Sequence, residues 1–215
     1  MPLVMPRLYV ILDGPLVRGS VLELAEQLID AGVRQLQYRD KTGTAAAVLE
    51  TSKALAELAR PSGTHFFVND RPDIAYLADA GGVHVGQDDL PVEQARDIVG
   101  RDRWVGVSTH NREQFAKAAT TSADYIAIGP IFATASKANP DPVVGVELLS
   151  QLRALTDKPI VAIGGIGLDE GEALLQAGAS SVAVIRDILL APNPRRRAAQ
   201  FVERLDAVEL RRRGA

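Results

Sequence analysis

His65-Phe66-Phe67-Val68 runs into Asn69-Asp70-Arg71, a helix-like stretch follows over residues 73–80, and Gly82-Val83-His84-Val85 then runs into Gly86-Gln87-Asp88-Asp89-Leu90. Both apolar runs are short and continuous, and each ends abruptly in polar residues. Continuous apolar strands on either side of a helix read as neighbours in a parallel sheet whose faces are covered by helices. The two runs also end in carboxylates, Asp70 and Asp89. Acids at neighbouring strand ends can share a hard cation, and a cation can hold a phosphate.

The same alternation extends outward in both directions. Apolar runs cover residues 8–12, 34–38, 65–68, 82–85, 104–107, 125–128, 160–163 and 182–185. Helix-like stretches follow at 21–31, 45–59, 73–80, 92–99, 112–120, 146–155, 170–177 and 195–205. Apolar residues within them stand three and four apart, as do Leu22, Ala25, Leu28 and Ile29. Gly32, Gly81 and Gly178 each come just after a helical stretch, the usual C-terminal stop. Eight βα units fit a closed (β/α)8 TIM barrel of the α/β class better than an open doubly wound sheet. No Ser- or Gly-rich linker divides the chain, so residues 1–215 are expected to form one domain. The one longer loop, 133–144, is long enough in a compact barrel to suggest function or mobility.

Composition narrows the function classes. The 215 residues are 47% hydrophobic and carry a net charge of −3, which argues against bulk attraction to nucleic acid or an anionic membrane surface. The chain has no cysteine, which excludes disulfides, thiolate metal sites and cysteine nucleophiles. That is compatible with a reducing cytoplasm, the expected location. No apolar run reaches the roughly 18 residues of a membrane span, and residues 1–7 lack the apolar core of a secretory signal. The basic clusters Arg195-Arg196-Arg197 and Arg211-Arg212-Arg213 read as a solvated helix face and a frayed tail. They could support a contact in a homo-oligomer, although nothing in the sequence requires one.

Active sites of parallel barrels form at the C-terminal ends of the strands. The polar residues there are Gln37, Arg39 and Lys41; Asn69 and Asp70; Gln87, Asp88 and Asp89; Ser108 and His110; Thr134, Ser136 and Lys137; the glycine turn Gly164-Gly165-Ile166-Gly167; and Arg186. Three chemistries emerge from this set. Arg39, Lys41 and Lys137 are cations suited to phosphate. Gln37, Arg39 and Lys41 stand two apart, so all three lean to one side if the strand continues. Asp70 and Asp89 are either helix caps or a pair of magnesium ligands. Glycines after the seventh strand let backbone N–H groups approach a phosphate where a helix begins. The histidines carry less: His65 starts a strand, His84 packs inside one, and His110 borders the site. No HxH, HExxH or GxSxG arrangement is present.

These segments, in order and over most of the chain, resemble thiamine phosphate synthases. The resemblance rests on Gln37-Tyr38-Arg39-Asp40-Lys41, Val68-Asn69-Asp70-Arg71 and the stretch from Gly82 to Pro91. It continues through Gly106-Val107-Ser108-Thr109-His110, Ala123-Asp124-Tyr125-Ile126 and the stretch from Gly129 to Lys137, and ends with Val161-Ala162-Ile163-Gly164-Gly165-Ile166 and Val182-Ala183-Val184-Ile185.

The resemblance implies a transferase that joins a pyrimidine diphosphate to a thiazole phosphate and releases pyrophosphate. It implies that Gln37, Arg39, Lys41, Asn69, Ser108 and Lys137 hold the diphosphate substrate, that Asp70 and Asp89 bind Mg2+, and that Thr134, Ser136, Gly165 and the segment Ile185-Arg186 hold the thiazole phosphate. Gly164 belongs to the same glycine turn. Two positions depart from the family pattern: Ser136 stands where a second Thr is usual, keeping the hydroxyl, and Arg186 stands where Ser is frequent. Rival readings are a thiazole tautomerase-like isomerase of the same fold, another phosphate-binding barrel, and a ligand-sensing regulator. The full Gln-x-Arg-x-Lys set with Asp89 argues against the tautomerase.

Overall fold

The computed structural model describes residues 5–134 and 141–213, with side chains through residue 208. Eight parallel strands close into one barrel in chain order. They are β1 (Leu8–Asp13), β2 (Gln35–Arg39), β3 (His65–Asn69), β4 (Gly82–Val85), β5 (Trp104–Thr109), β6 (Tyr125–Ile128), β7 (Ile160–Ile163) and β8 (Ser181–Val184). The helices are α1 (Val21–Asp30), α2 (Ala45–Ala59), α3 (Pro72–Leu77), α4 (Val92–Val99), α5 (Arg112–Ala119), α6 (Gly145–Leu152), α7 (Gly171–Gln176), α8 (Arg186–Leu189) and α9 (Pro194–Arg213). Closure is made by β1 and β8, with Leu8 opposite Val182 and Val10 opposite Val184.

The period of two along each strand divides the core. Leu8, Val10 and Leu12 of β1 face outward into the large cluster shared with the helices. Tyr9 and Ile11 face the barrel axis, with Phe67, Tyr125, Ala127, Val161 and Ala183. Two inward positions are glycines for a steric reason. A Cβ on Gly82 would lie 2.6 Å from the Phe67 ring, and one on Gly106 would lie 2.0 Å from the Tyr125 ring. Strands β4 and β5 give up side chains there, and two aromatic rings fill the space.

The expected barrel is present, with strand ends within a residue or two of those read from the sequence. Three differences concern the helices. α3 stops at Leu77, because residues 78–80 turn away through Asp79, whose φ is 51°. α8 is a short helix directly after β8, where the sequence reading placed only a strand end. α9 is a 20-residue helix that extends to Arg213, beyond the 195–205 stretch read from the sequence. Among the described residues no helix is long and apolar enough to cross a membrane.

Candidate active site

The C-terminal strand ends enclose a cavity of about 470 Å³. One wall is built by β2 to β5, which contribute Gln37, Arg39, Asn69, His84 and Ser108. Arg39 is held in place from β1. Its Nη1 donates to both carboxylate oxygens of Asp13 at 3.0 Å, and the Asp13 side chain is only 5% exposed. A charge-assisted pair in this setting fixes where the guanidinium points. Gln37 Nε2 donates to the Tyr9 hydroxyl at 2.7 Å, and the Tyr9 and Tyr125 hydroxyls are 3.1 Å apart. His84 bridges Tyr125, at 2.9 Å from Nδ1, and Ser108, at 2.8 Å from Nε2. Burial pushes the pKa of both phenols well up, so Tyr9 and Tyr125 stay protonated.

The acids lie at the ends of β3 and β4. Neither caps a helix: the N-cap positions of α3 and α4 are Arg71 and Pro91, and neither makes a side-chain cap. Asp70 instead sits in the left-handed backbone region, φ 62°, with its N–H on the His84 carbonyl at 2.7 Å. That conformation is uncommon outside glycine, and it turns the carboxylate toward its neighbours. Lys41 Nζ lies 2.9 Å from Asp70 Oδ2, and Asp89 Oδ2 accepts the Gly86 N–H at 2.8 Å. Burial, then a hydrogen bond from Asp70, push the Asp89 carboxyl up to about 6. The neighbouring Asp70 carboxylate thus adds to burial in disfavouring charge on Asp89. A divalent cation would relieve the same repulsion, and two carboxylate oxygens suit Mg2+, which takes its remaining ligands from water or phosphate oxygens. The residues present fit that ion.

The opposite wall comes from β6 to β8 and their loops: Gly129, Pro130, Ala133, Thr134, Gly164, Gly165, Ile185 and Arg186. Gly164 and Gly165 have φ of 100° and 67°. A Cβ on Gly165 would stand 2.4 Å from the Ala133 carbonyl, and one on Gly164 would stand 2.5 Å from Pro130. Only glycine meets both conditions. Ile131 N–H donates to the Ile163 carbonyl and Phe132 N–H to the Gly164 carbonyl, at 2.9 and 3.0 Å, so the two loops form one backbone surface. The glycine turn does not open a helix as the sequence suggested, because α7 begins only at Gly171. The short α8 begins at Arg186, on the cavity edge. His110 closes the remaining side, with Nδ1 2.7 Å from the Gly129 carbonyl and 3.5 Å from Asp141.

The cavity thus gathers Gln37, Arg39, Asn69, Ser108, Thr134, Gly164, Gly165, Ile185 and Arg186. Lys41, Asp70 and Asp89 form a cluster at neighbouring strand ends. Lys41 does not continue the Gln37–Arg39 face, because β2 ends at Arg39. Ser136 and Lys137 lie outside the described residues. Sequence reasoning missed Asp13, the partner of Arg39, and gave His84 only a packing role. The signal for Asp13 was available in an acid ending the first apolar run, Leu8-Tyr9-Val10-Ile11-Leu12.

A (β/α)8 barrel with a cavity at its C-terminal strand ends, into which several polar side chains reach, and paired carboxylates beside it belongs to the barrel enzymes. The family model for thiamine monophosphate synthase matches residues 8–188. A thiamine-phosphate synthase of Koribacter versatilis is 49% identical over 204 residues, covering 93% of this chain and 95% of its own. One of Lawsonia intracellularis is 40% identical over 187 residues, 86% of each chain. The solved thiamine phosphate pyrophosphorylase of Pyrococcus furiosus superposes with a TM-score of 0.86 at 30% identity, over 94% of this chain and 96% of its own. The chain belongs to the thiamine monophosphate synthase family, a family of transferases.

Proposed function

We propose that the protein is a thiamine phosphate synthase, joining 4-amino-2-methyl-5-(diphosphomethyl)pyrimidine to 4-methyl-5-(2-phosphoethyl)thiazole with release of pyrophosphate. The observation that carries this reading is the two-walled cavity. One wall offers a guanidinium, two amides and a hydroxyl, and the other a glycine-rich backbone surface, a threonine and an arginine. Two anionic substrates can therefore lie face to face. Gln37, Arg39, Asn69, Ser108 and Lys41 hold the pyrimidine diphosphate, with Lys137 completing that set. Thr134, Ser136, Gly164-Gly165 and Ile185-Arg186 hold the thiazole phosphate.

The chemistry asks for charge stabilisation more than for a base. The aminopyrimidine ring donates electron density to its methylene carbon as the carbon–oxygen bond to pyrophosphate breaks, and the bonding pair leaves with the pyrophosphate. The thiazole nitrogen then forms the new carbon–nitrogen bond at that carbon. Arg39, Lys41 and Lys137 meet the charge that develops on the leaving group. Asp70 and Asp89 would hold Mg2+, which supplies further neutralisation of that charge. The paired walls supply proximity for the attack.

The walls make separable predictions. Arg39→Ala raises KM for the pyrimidine diphosphate about 10-fold or more, the scale of a lost charge-assisted contact, with little change in KM for the thiazole phosphate. Thr134→Val does the reverse. Steady-state kinetics with each substrate varied in turn test this, and equal effects of each variant on both substrates would sink the two-wall assignment.

A further inference from the structure

Gln37 and Ser108 reach the cavity from different strands, yet they are the two ends of one hydrogen-bond chain. The chain runs from Gln37 Nε2 to the Tyr9 hydroxyl, then to the Tyr125 hydroxyl, to His84 Nδ1, and from His84 Nε2 to Ser108 Oγ. Tyr9, Tyr125 and His84 are buried. The imidazole also stacks on the Tyr125 ring, with centroids 5.5 Å apart and planes 24° apart, which fixes its plane. The buried amide of Gln35, the nearest inward-facing neighbour along β2, has no hydrogen-bond partner among the described residues, whereas Gln37 is bonded to Tyr9 at 2.7 Å.

Each hydroxyl in the chain has one proton, and so does a neutral imidazole. The direction chosen at one end is therefore imposed on the other. If the Gln37 amide donates, Tyr9 passes its proton toward Tyr125 and Tyr125 toward Nδ1. Nε2 then carries the imidazole proton and gives it to Ser108 Oγ, leaving the Ser108 O–H to donate into the cavity. In the opposite polarity Ser108 donates to Nε2, Nδ1–H donates to Tyr125, and Tyr9 donates to a flipped Gln37. Ser108 would then meet a ligand only as an acceptor. Ionised phosphate oxygens only accept, so a diphosphate beside Ser108 requires the first polarity.

We propose that His84 is a positioning residue that acts as the neutral Nε2–H tautomer, setting Ser108 as a donor toward the diphosphate and Gln37 as a carbonyl acceptor toward the other end of the same substrate. The ligand assignment rests on the synthase reading; the polarity argument does not. One consequence is selectivity. Gln37 so oriented accepts from an exocyclic amine and opposes an oxo group in the same place, and an unmatched buried polar pair is a strong basis for rejection.

The test is a long-range 1H–15N correlation spectrum of the full chain labelled with 15N-histidine, with Mg2+ and inorganic pyrophosphate added. The chain has only three histidines, so His65→Gln and His110→Gln variants assign the signals. The expected result is a neutral His84 protonated at Nε2 and bare at Nδ1. A proton on Nδ1, or an imidazolium, overturns the proposal. Tyr125→Phe keeps the ring and removes the link. It is expected to lower kcat about 10- to 100-fold, as loss of reactant orientation does, and to leave KM for the thiazole phosphate unchanged. An unchanged kcat also overturns the proposal. A wild-type protein that makes no thiamine phosphate would refute the synthase reading, while the spectrum would still decide the polarity.

Discussion

Asp70 shows how the residue scale carries the site. A non-glycine residue at φ 62° costs about 1 kcal/mol or more, and here the strain turns a carboxylate toward Asp89 and Lys41. Asp89→Ala is therefore expected to lower the rate about 100-fold at fixed Mg2+, the scale of removing a preorganised electrostatic contact, and to move the Mg2+ dependence to higher concentration. Rates measured across a magnesium titration check this, and full activity throughout would contradict the metal role. Most of these residues were legible in the sequence because they stand at the ends of apolar runs. Whether the acids capped helices or paired with each other was not legible, since that depends on the Asp70 backbone and on contacts between strands. Asp13 also ends an apolar run, but its pairing, like that of His84, was not legible for the same reason. Their partners, Arg39 and Ser108, are 26 and 24 residues away and meet them only through the barrel's register.

At the scale of elements, the glycines of β4 and β5 couple fold to site. Gly106 leaves room for the Tyr125 ring, whose hydroxyl stands in the chain between Gln37 and Ser108. Gly106→Ala places a methyl 2.0 Å from that ring. Overpacking of this kind costs about 1–3 kcal/mol, so the variant should melt lower and lose activity beyond its loss of stability. Urea unfolding and rates at a temperature where the variant is still folded separate the two effects; a variant with wild-type stability and rate would show that Tyr125 moves without consequence. The alternation of strands and helices was fully legible, because continuous apolar runs and three-and-four spacing are independent signals. α8 was not. Its four residues, Arg186–Leu189, are too few to display a helical period. The glycine turn was correctly singled out, but seven residues separate β7 from α7, so it works through its own backbone and its contact with the β6 loop.

At the scale of the whole molecule, the barrel separates stability from chemistry. The outer core between strands and helices, closed by Ala198, Phe201, Leu205 and Val208 of α9, holds the fold together. The cavity residues stand at the opposite pole of each strand from its entry point, where they can vary without disturbing that core. A cavity that joined the two proposed substrates would form both products together, and the most direct measurement counts both products of one reaction. Purified protein is supplied with the pyrimidine diphosphate and the thiazole phosphate, with Mg2+ or with EDTA, and thiamine phosphate and pyrophosphate are quantified together. Equal amounts of the two products, formed with Mg2+ and lost with EDTA, are expected. Intact substrates after incubation with Mg2+, or pyrophosphate released without thiamine phosphate, would contradict the account.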